Sequence, residues 1–167
     1  MAYTTEMWEK ISKLQSESRL ALSEGDRKRF IKIMNKLISF VESQNLPSHT
    51  YRLRKEYLSS TQPFDLTKII PILEEALEHY KKQNDILLQI KTLIDLSSAI
   101  FYHSSKHTDA VSCLDQADKL IESLTPNHII ELAGKYPSFD ANFIATQLAS
   151  RSGEIEKLRK LISETNH

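Results

Sequence analysis

His103 and His107 stand four residues apart, with Asp109 two positions further on. On one continuous helix that spacing would place two imidazoles on one face, where a divalent metal can be held. The intervening Ser104, Ser105 and Lys106 read instead as a turn, so two solvated turn histidines are expected and no metal site. Cys113 is the only cysteine, which rules out an internal disulfide. A reactive thiol needs cationic neighbours or a helix N-terminus to lower its pKa. Cys113 lies beside the apolar face of a helix and reads as inert packing. Glycine occurs only at positions 25, 134 and 153. Neither a phosphate-cradling loop, a dinucleotide fingerprint nor a nucleophile elbow can be assembled from such spacing. No CxxC or HExxH occurs, nor an Arg followed four to six residues later by His. The expectation is a protein that is not an enzyme and uses no cofactor.

The charged residues suggest a different chemistry. Lys+Arg and Asp+Glu are both 22, so the net charge is zero. The two signs are unevenly spread. Residues 1–60 hold eleven basic against seven acidic residues, and residues 61–167 hold eleven against fifteen. The run RKRFIKIMNK, continued by Arg52 and Arg54, places Arg27, Arg29, Lys32 and Lys36 largely opposite an apolar stripe. Such a face is ordinarily just solvated. It is also the alternative site here, an anion-binding surface for a nucleic-acid-associated helical protein.

These residues must be positioned by helices. Gly and Pro total eight in 167 residues, too few for the turns of a β-rich fold. Residues 4–23 carry a helical stripe at Met7, Ile11, Leu14, Ala21 and Leu22, with Trp8 beside it and more often core than interface at such a position. Gly25 stops this helix and Asp26 caps the next, which presents Phe30, Ile33, Met34, Leu37, Ile38 and Val41. Leu46-Pro47-Ser48 breaks the chain ahead of a short helix at 48–60. Pro63 and Asp65 mark the next start. A helix over 66–82 follows, in which Pro71 marks either a kink, the favoured reading, or a helix start near Ile70 with Pro71 in its first turn. Asn84 or Asp85 caps a helix over 85–103, and another spans 109–124. Thr125-Pro126 opens a short helix that Gly134 stops. Ser138 starts a helix over 139–150, Ser152-Gly153 breaks it, and a last helix covers 154–164.

A triplet at offsets 0, 4 and 7 recurs as Phe30/Met34/Leu37, Ile69/Leu73/Ala76 and Ala110/Leu114/Ala117, at intervals of 39 and 41 residues. Leu158/Ile162 is a fourth, partial copy. A near-constant period is the mark of a stacked helical repeat. In residues 91–124, KTLIDLSSAIFYHSSKHTDAVSCLDQADKLIESL, Ser98, Phe101, Ala110, Leu114 and Ala117 occur in the order small, aromatic, small, large, small. On these residues the chain resembles the tetratricopeptide-repeat (TPR) family. Residues 16–44 share a small Ser18 and an EGD turn, but Phe30 and Leu37 stand where that family has small residues. Tyr57 and Pro71 depart further, and the period exceeds the family's usual ~34 residues.

The resemblance implies an all-α fold over residues 1–167, a single domain forming a right-handed superhelix of about four TPR-like hairpins, with an irregular helical bundle as the alternative. It also implies a concave face that binds another protein or peptide. Carried over, that face comprises Ser12, Gln15, Arg19 and Leu22, then Thr92, Asp95, Ala99, Tyr102 and His103. Gln15, Arg19, Thr92, Asp95, Tyr102 and His103 are the candidate partner-binding residues. The Lys and Asn of the family's carboxylate clamp are not at these places, so chaperone tails are not the expected partner. The leading expectation is therefore a protein–protein interaction scaffold or adaptor. No apolar stretch approaches the ~20 residues a membrane span needs, and the N-terminus has no signal-peptide pattern. A cytoplasmic protein without a membrane anchor is expected. A homodimer is compatible with the open ends of a short solenoid.

Overall fold

The computed structural model describes residues 4–61, 66–104, 106–135 and 139–165. Pro63, Asp65 and Ser138, the expected start signals, lie outside the described residues. Eight α-helices run through the described chain: α1 (Thr5–Ser23), α2 (Arg27–Ser43), α3 (Pro47–Thr61), α4 (Ile69–Lys82), α5 (Ile86–His103), α6 (His107–Glu122), α7 (Pro126–Lys135) and α8 (Ala141–Thr165). No strand occurs among the described residues. By internal packing the chain, expected as one domain, divides into two compact units, Met1–Ile72 and Leu73–His167.

Three helix ends share one stop. Gly25, Asn45 and Asn84 adopt left-handed φ values of 73°, 54° and 53°. In each case the next residue's N–H reaches back five positions: Asp26 to the Ala21 carbonyl, Leu46 to Val41, Asp85 to Tyr80. The left-handed residue's own N–H bonds three back, to Leu22, Glu42 and Lys81 respectively. This pair of bonds satisfies carbonyls that a helix end leaves open, and it needs a residue tolerant of positive φ. Asn84 is thus the stop for α4, and Asp85 is the cap of α5, its carboxylate accepting from Leu88 N–H at 3.1 Å. Likewise Asn45 makes the break before α3, with Pro47 as the first helical residue.

In the first unit α2 packs against both α1 and α3. Its core joins Ile11, Leu14 and Ala21 of α1 to Phe30, Met34, Leu37 and Val41 of α2 and Leu53 of α3. The expected stripes therefore form the core, except at Leu22, which is 47% exposed. Trp8 and His49 meet edge to face, with ring centroids 5.5 Å apart. Arg27 donates to the Thr61 carbonyl. The first contact brings together the starts of α1 and α3, and the second brings the start of α2 to the end of α3. Hence α1 and α3 run alike, both antiparallel to α2.

A 3-10 turn (Leu66–Lys68) leads directly into α4. Pro71 therefore sits in the first helical turn, where its missing N–H costs nothing, and of the two readings the helix start, not the favoured kink, is found.

In the second unit α5 and α6 form a hairpin, α8 packs on α5, α6 and α7, and α5 is buried on almost every side. The fully buried Ser97 hydroxyl donates to the Ala110 carbonyl at 2.7 Å where the two helices cross. The small residue at the crossing is thus Ser97, while Ser98 is half-buried. Arg159 of α8 reaches Asp118 at 2.6 Å and Asp115 at 2.7 Å on α6. α7 begins with reciprocal capping, in which the Thr125 hydroxyl accepts from His128 N–H and Thr125 N–H donates to the His128 ring. It continues through Gly134 to Lys135.

α8 is the larger correction. Its 25 residues are continuous, with Gly153 inside. The buried Ile144, Leu148, Ile155 and Ile162 explain this. They form one stripe that passes Gly153 without losing phase, so packing on α5 and α6 outweighs about 1 kcal/mol of lost helix propensity.

All nine residues of the three full triplets are buried: Phe30, Met34, Leu37, Ile69, Leu73, Ala76, Ala110, Leu114 and Ala117. Ile162 of the partial copy is buried and Leu158 half-buried.

Candidate functional site

The expected concave positions fare unequally. In the first unit Gln15 is half-buried, while Arg19 is exposed, as are Ser12 and Leu22. In the second unit Thr92 is buried, 6% exposed, and its hydroxyl donates to the Leu88 carbonyl of its own helix. Ala99 is also buried. With α6 and α8 both packed on α5, Thr92 is not available to a partner. Asp95 is half-buried and paired with Lys91 at 2.9 Å. Tyr102 is 61% exposed, its ring edge-on to Phe101 at 5.1 Å. His103 ends α5, half-buried, and His107 begins α6 with its ring packed 5.1 Å from Phe101. Among the described residues no group of three or more His, Cys, Asp or Glu is placed to hold a metal ion. Cys113 is buried. Burial first, then the Asp109 and Glu74 carboxylates, push its thiol up to about 11.

The basic face is largely occupied by its own protein. Arg27 holds the Thr61 carbonyl, Arg29 pairs with Glu24 at 3.1 Å, Arg52 contacts the His49 ring at 3.3 Å, and Arg54 lies over the Tyr51 ring. Lys32 and Lys36 remain exposed on α2. His49 is pushed below its usual value, by burial first and by the Arg52 guanidinium second. Trp8, expected in the core, is 46% exposed beside it.

The more informative feature is a groove that the carried-over positions did not include. It lies between the first turns of α5 and the N-terminal half of α8 and encloses about 180 Å³. α5 contributes Leu87, Leu88, Ile90 and Lys91. The opposite wall is built from the α8 start. The Asp140 carboxylate accepts from Phe143 N–H at 2.7 Å, which caps the helix. That cap sets Phe139 one turn ahead of Phe143, and their rings stack at 4.5 Å, inclined by 23°. Ile144 and Leu148 form the floor, and Gln147 and Arg151 continue the rim. Phe139 and Phe143 are 37% and 42% exposed. Stacked together beside the groove, the two rings form one contiguous apolar surface with polar residues at its edge, the arrangement that marks interaction sites.

The first turns of α8 meet the first turns of α5. Arg159, further along α8, reaches Asp115 and Asp118 in the second half of α6. The groove lining joins aromatic and aliphatic residues, Leu87 and Phe143 among them, to two cations, Lys91 and Arg151. Each cation also holds a carboxylate on its own helix: Lys91 with Asp95, and Arg151 with Glu154 at 3.0 Å. The sequence signal was present: in FDANFIATQL, Phe139 and Phe143 lie one turn apart, flanking the stripe of Ile144 and Leu148.

No protein-family model, curated protein or solved structure matches the chain. No helix among the described residues is long and apolar enough to cross a membrane.

Proposed function

We propose that this chain is a non-catalytic protein-interaction module of TPR-like hairpins, which docks a segment of a partner protein in the groove between α5 and α8. The observation that carries this reading is the pair of stacked, partly exposed phenylalanines forming one wall of an apolar groove. An apolar pocket ringed by a polar rim is the usual form of an interaction hot spot. The volume favours a side chain over a metabolite. Small-molecule sites commonly measure about 300–1,000 Å³, whereas this groove encloses about 180 Å³. Hairpins closed by matching left-handed stops, and α1 and α3 running alike against α2, support the repeat character of the scaffold. Recognition would be non-covalent, with no turnover.

The test is affinity capture from a native extract with the full chain, at ordinary salt and at about 1 M salt, where the screening length falls to roughly 3 Å. A partner docked in the groove stays bound at high salt and is lost from a Phe143→Asp variant that keeps its helical circular dichroism. Recovery of nucleic acid alone, released by salt and unaffected by the variant, would overturn the proposal.

A further inference from the structure

The groove's lining specifies more than hydrophobicity. We infer that the α5/α8 groove takes one large apolar side chain from a peptide segment whose neighbouring residues are acidic. This rests on the docking role proposed above and names the chemistry of what docks.

Two observations converge. The enclosed volume, about 180 Å³, accommodates one aromatic or branched aliphatic side chain, whose burial supplies the main affinity. The two charged residues lining the groove, Lys91 and Arg151, are both cationic and come from opposite walls. Both border the same small groove, so a segment with its apolar anchor against Leu88 and Phe143 brings its adjacent residues close to them.

The intramolecular partners of those cations do not block this use. Lys91–Asp95 is an i,i+4 pair with side chains 48% and 31% exposed, and Arg151–Glu154 is an i,i+3 pair at 25% and 43%. Pairs this open to solvent contribute little, so a partner's carboxylate can share or replace Asp95 and Glu154 at small cost. Arg151 offers a planar fork suited to a carboxylate, and Lys91 a rotatable ammonium. A basic segment would meet two like charges across the groove, and a wholly apolar one would gain nothing from either cation.

The experiment is selection of a displayed random peptide library on the immobilised full chain, followed by fluorescence anisotropy with synthetic peptides of the enriched sequences. Enriched peptides are expected to share one Phe, Leu, Met or Trp with Asp or Glu within about one helical turn. Replacing that anchor by Ala should weaken binding by at least about tenfold, the size of a hot-spot truncation. Phe143→Ser, at a partly exposed position that the core does not need, should do the same. Leu88→Asp is a second groove variant, with circular dichroism as the check on folding. Selection repeated on the Lys91→Glu/Arg151→Glu double variant should return basic flanks around the same anchor. Peptides that need Phe143 but ignore the charge reversal overturn the acidic-segment inference and leave the docking role standing. No enrichment over an unrelated helical protein, or peptides indifferent to Phe143→Ser and Leu88→Asp, overturns both.

Discussion

Gly153→Ala is expected to stabilise the protein, because α8 is one continuous helix through that position. The magnitude follows from local geometry. A Cβ built on Gly153 meets nothing within 4 Å, and its backbone is helical rather than left-handed. The substitution therefore adds no clash and removes the entropy that glycine loses when fixed in a helix, about 0.8–1 kcal/mol. In a unit the size of Leu73–His167, 1 kcal/mol corresponds to a rise of roughly 4–8 °C in melting temperature. Gly25 provides the opposite control. It also has open space, but its φ of 73° makes an alanine there cost about 1–2 kcal/mol. The two glycines lie in different compact units, so the double variant should be additive within about 0.5 kcal/mol. Thermal and urea unfolding followed at 222 nm would measure all three proteins. A melting temperature that is unchanged or lowered in Gly153→Ala would mean that α8 is interrupted at Ser152-Gly153, and the packing argument for a continuous helix would fall.

At the α5–α6 crossing, Ser97→Ala should cost about 1 kcal/mol through the lost bond to Ala110, and Ser97→Leu more, about 1–3 kcal/mol, through overpacking. Denaturant unfolding that ranks Leu above Ala in stability would place Ser97 on an open face. His49 is held below its ordinary value of 6.5 in the fold, so the unfolded chain takes up its proton more readily. Stability should therefore be fullest above about pH 6.5 and fall as pH drops through the lowered folded value. Trp8, the only tryptophan, lies against His49, and its fluorescence should titrate with a midpoint below 6.5. A midpoint at or above 6.5 contradicts the burial argument, and His49→Gln should flatten the pH dependence. With its thiol at about 11, Cys113 should react with dithiobisnitrobenzoate at pH 8 at least about a hundredfold more slowly in the folded protein than in urea. Equal rates would mean that the helix bearing it opens freely.

Local signals carried much of the architecture. Asp26 and Asp85 cap helices because a short carboxylate can satisfy an open N–H, and Gly25 stops one because it tolerates positive φ. Both are properties of a few adjacent residues. The recurring triplets mark core faces for the same reason, since helical periodicity is local. Pro71 is locally compatible with both a kink and a helix start, and Gly153 reads locally as a break. A proline's effect depends on how far it lies from the helix start, and a glycine's on how much packing flanks it. The sequence by itself thus determined an all-helical chain, most of its caps and most of the residues that face inward. Only the tertiary structure decided that Thr92 is buried, and that α8 packs on α5 as well as α6 and builds a groove from Leu88 and Phe143, residues 55 positions apart. A periodic stripe shows that a face will be covered. Which distant helix covers it, and what gap remains between them, depends on the summed packing of elements far apart in the chain.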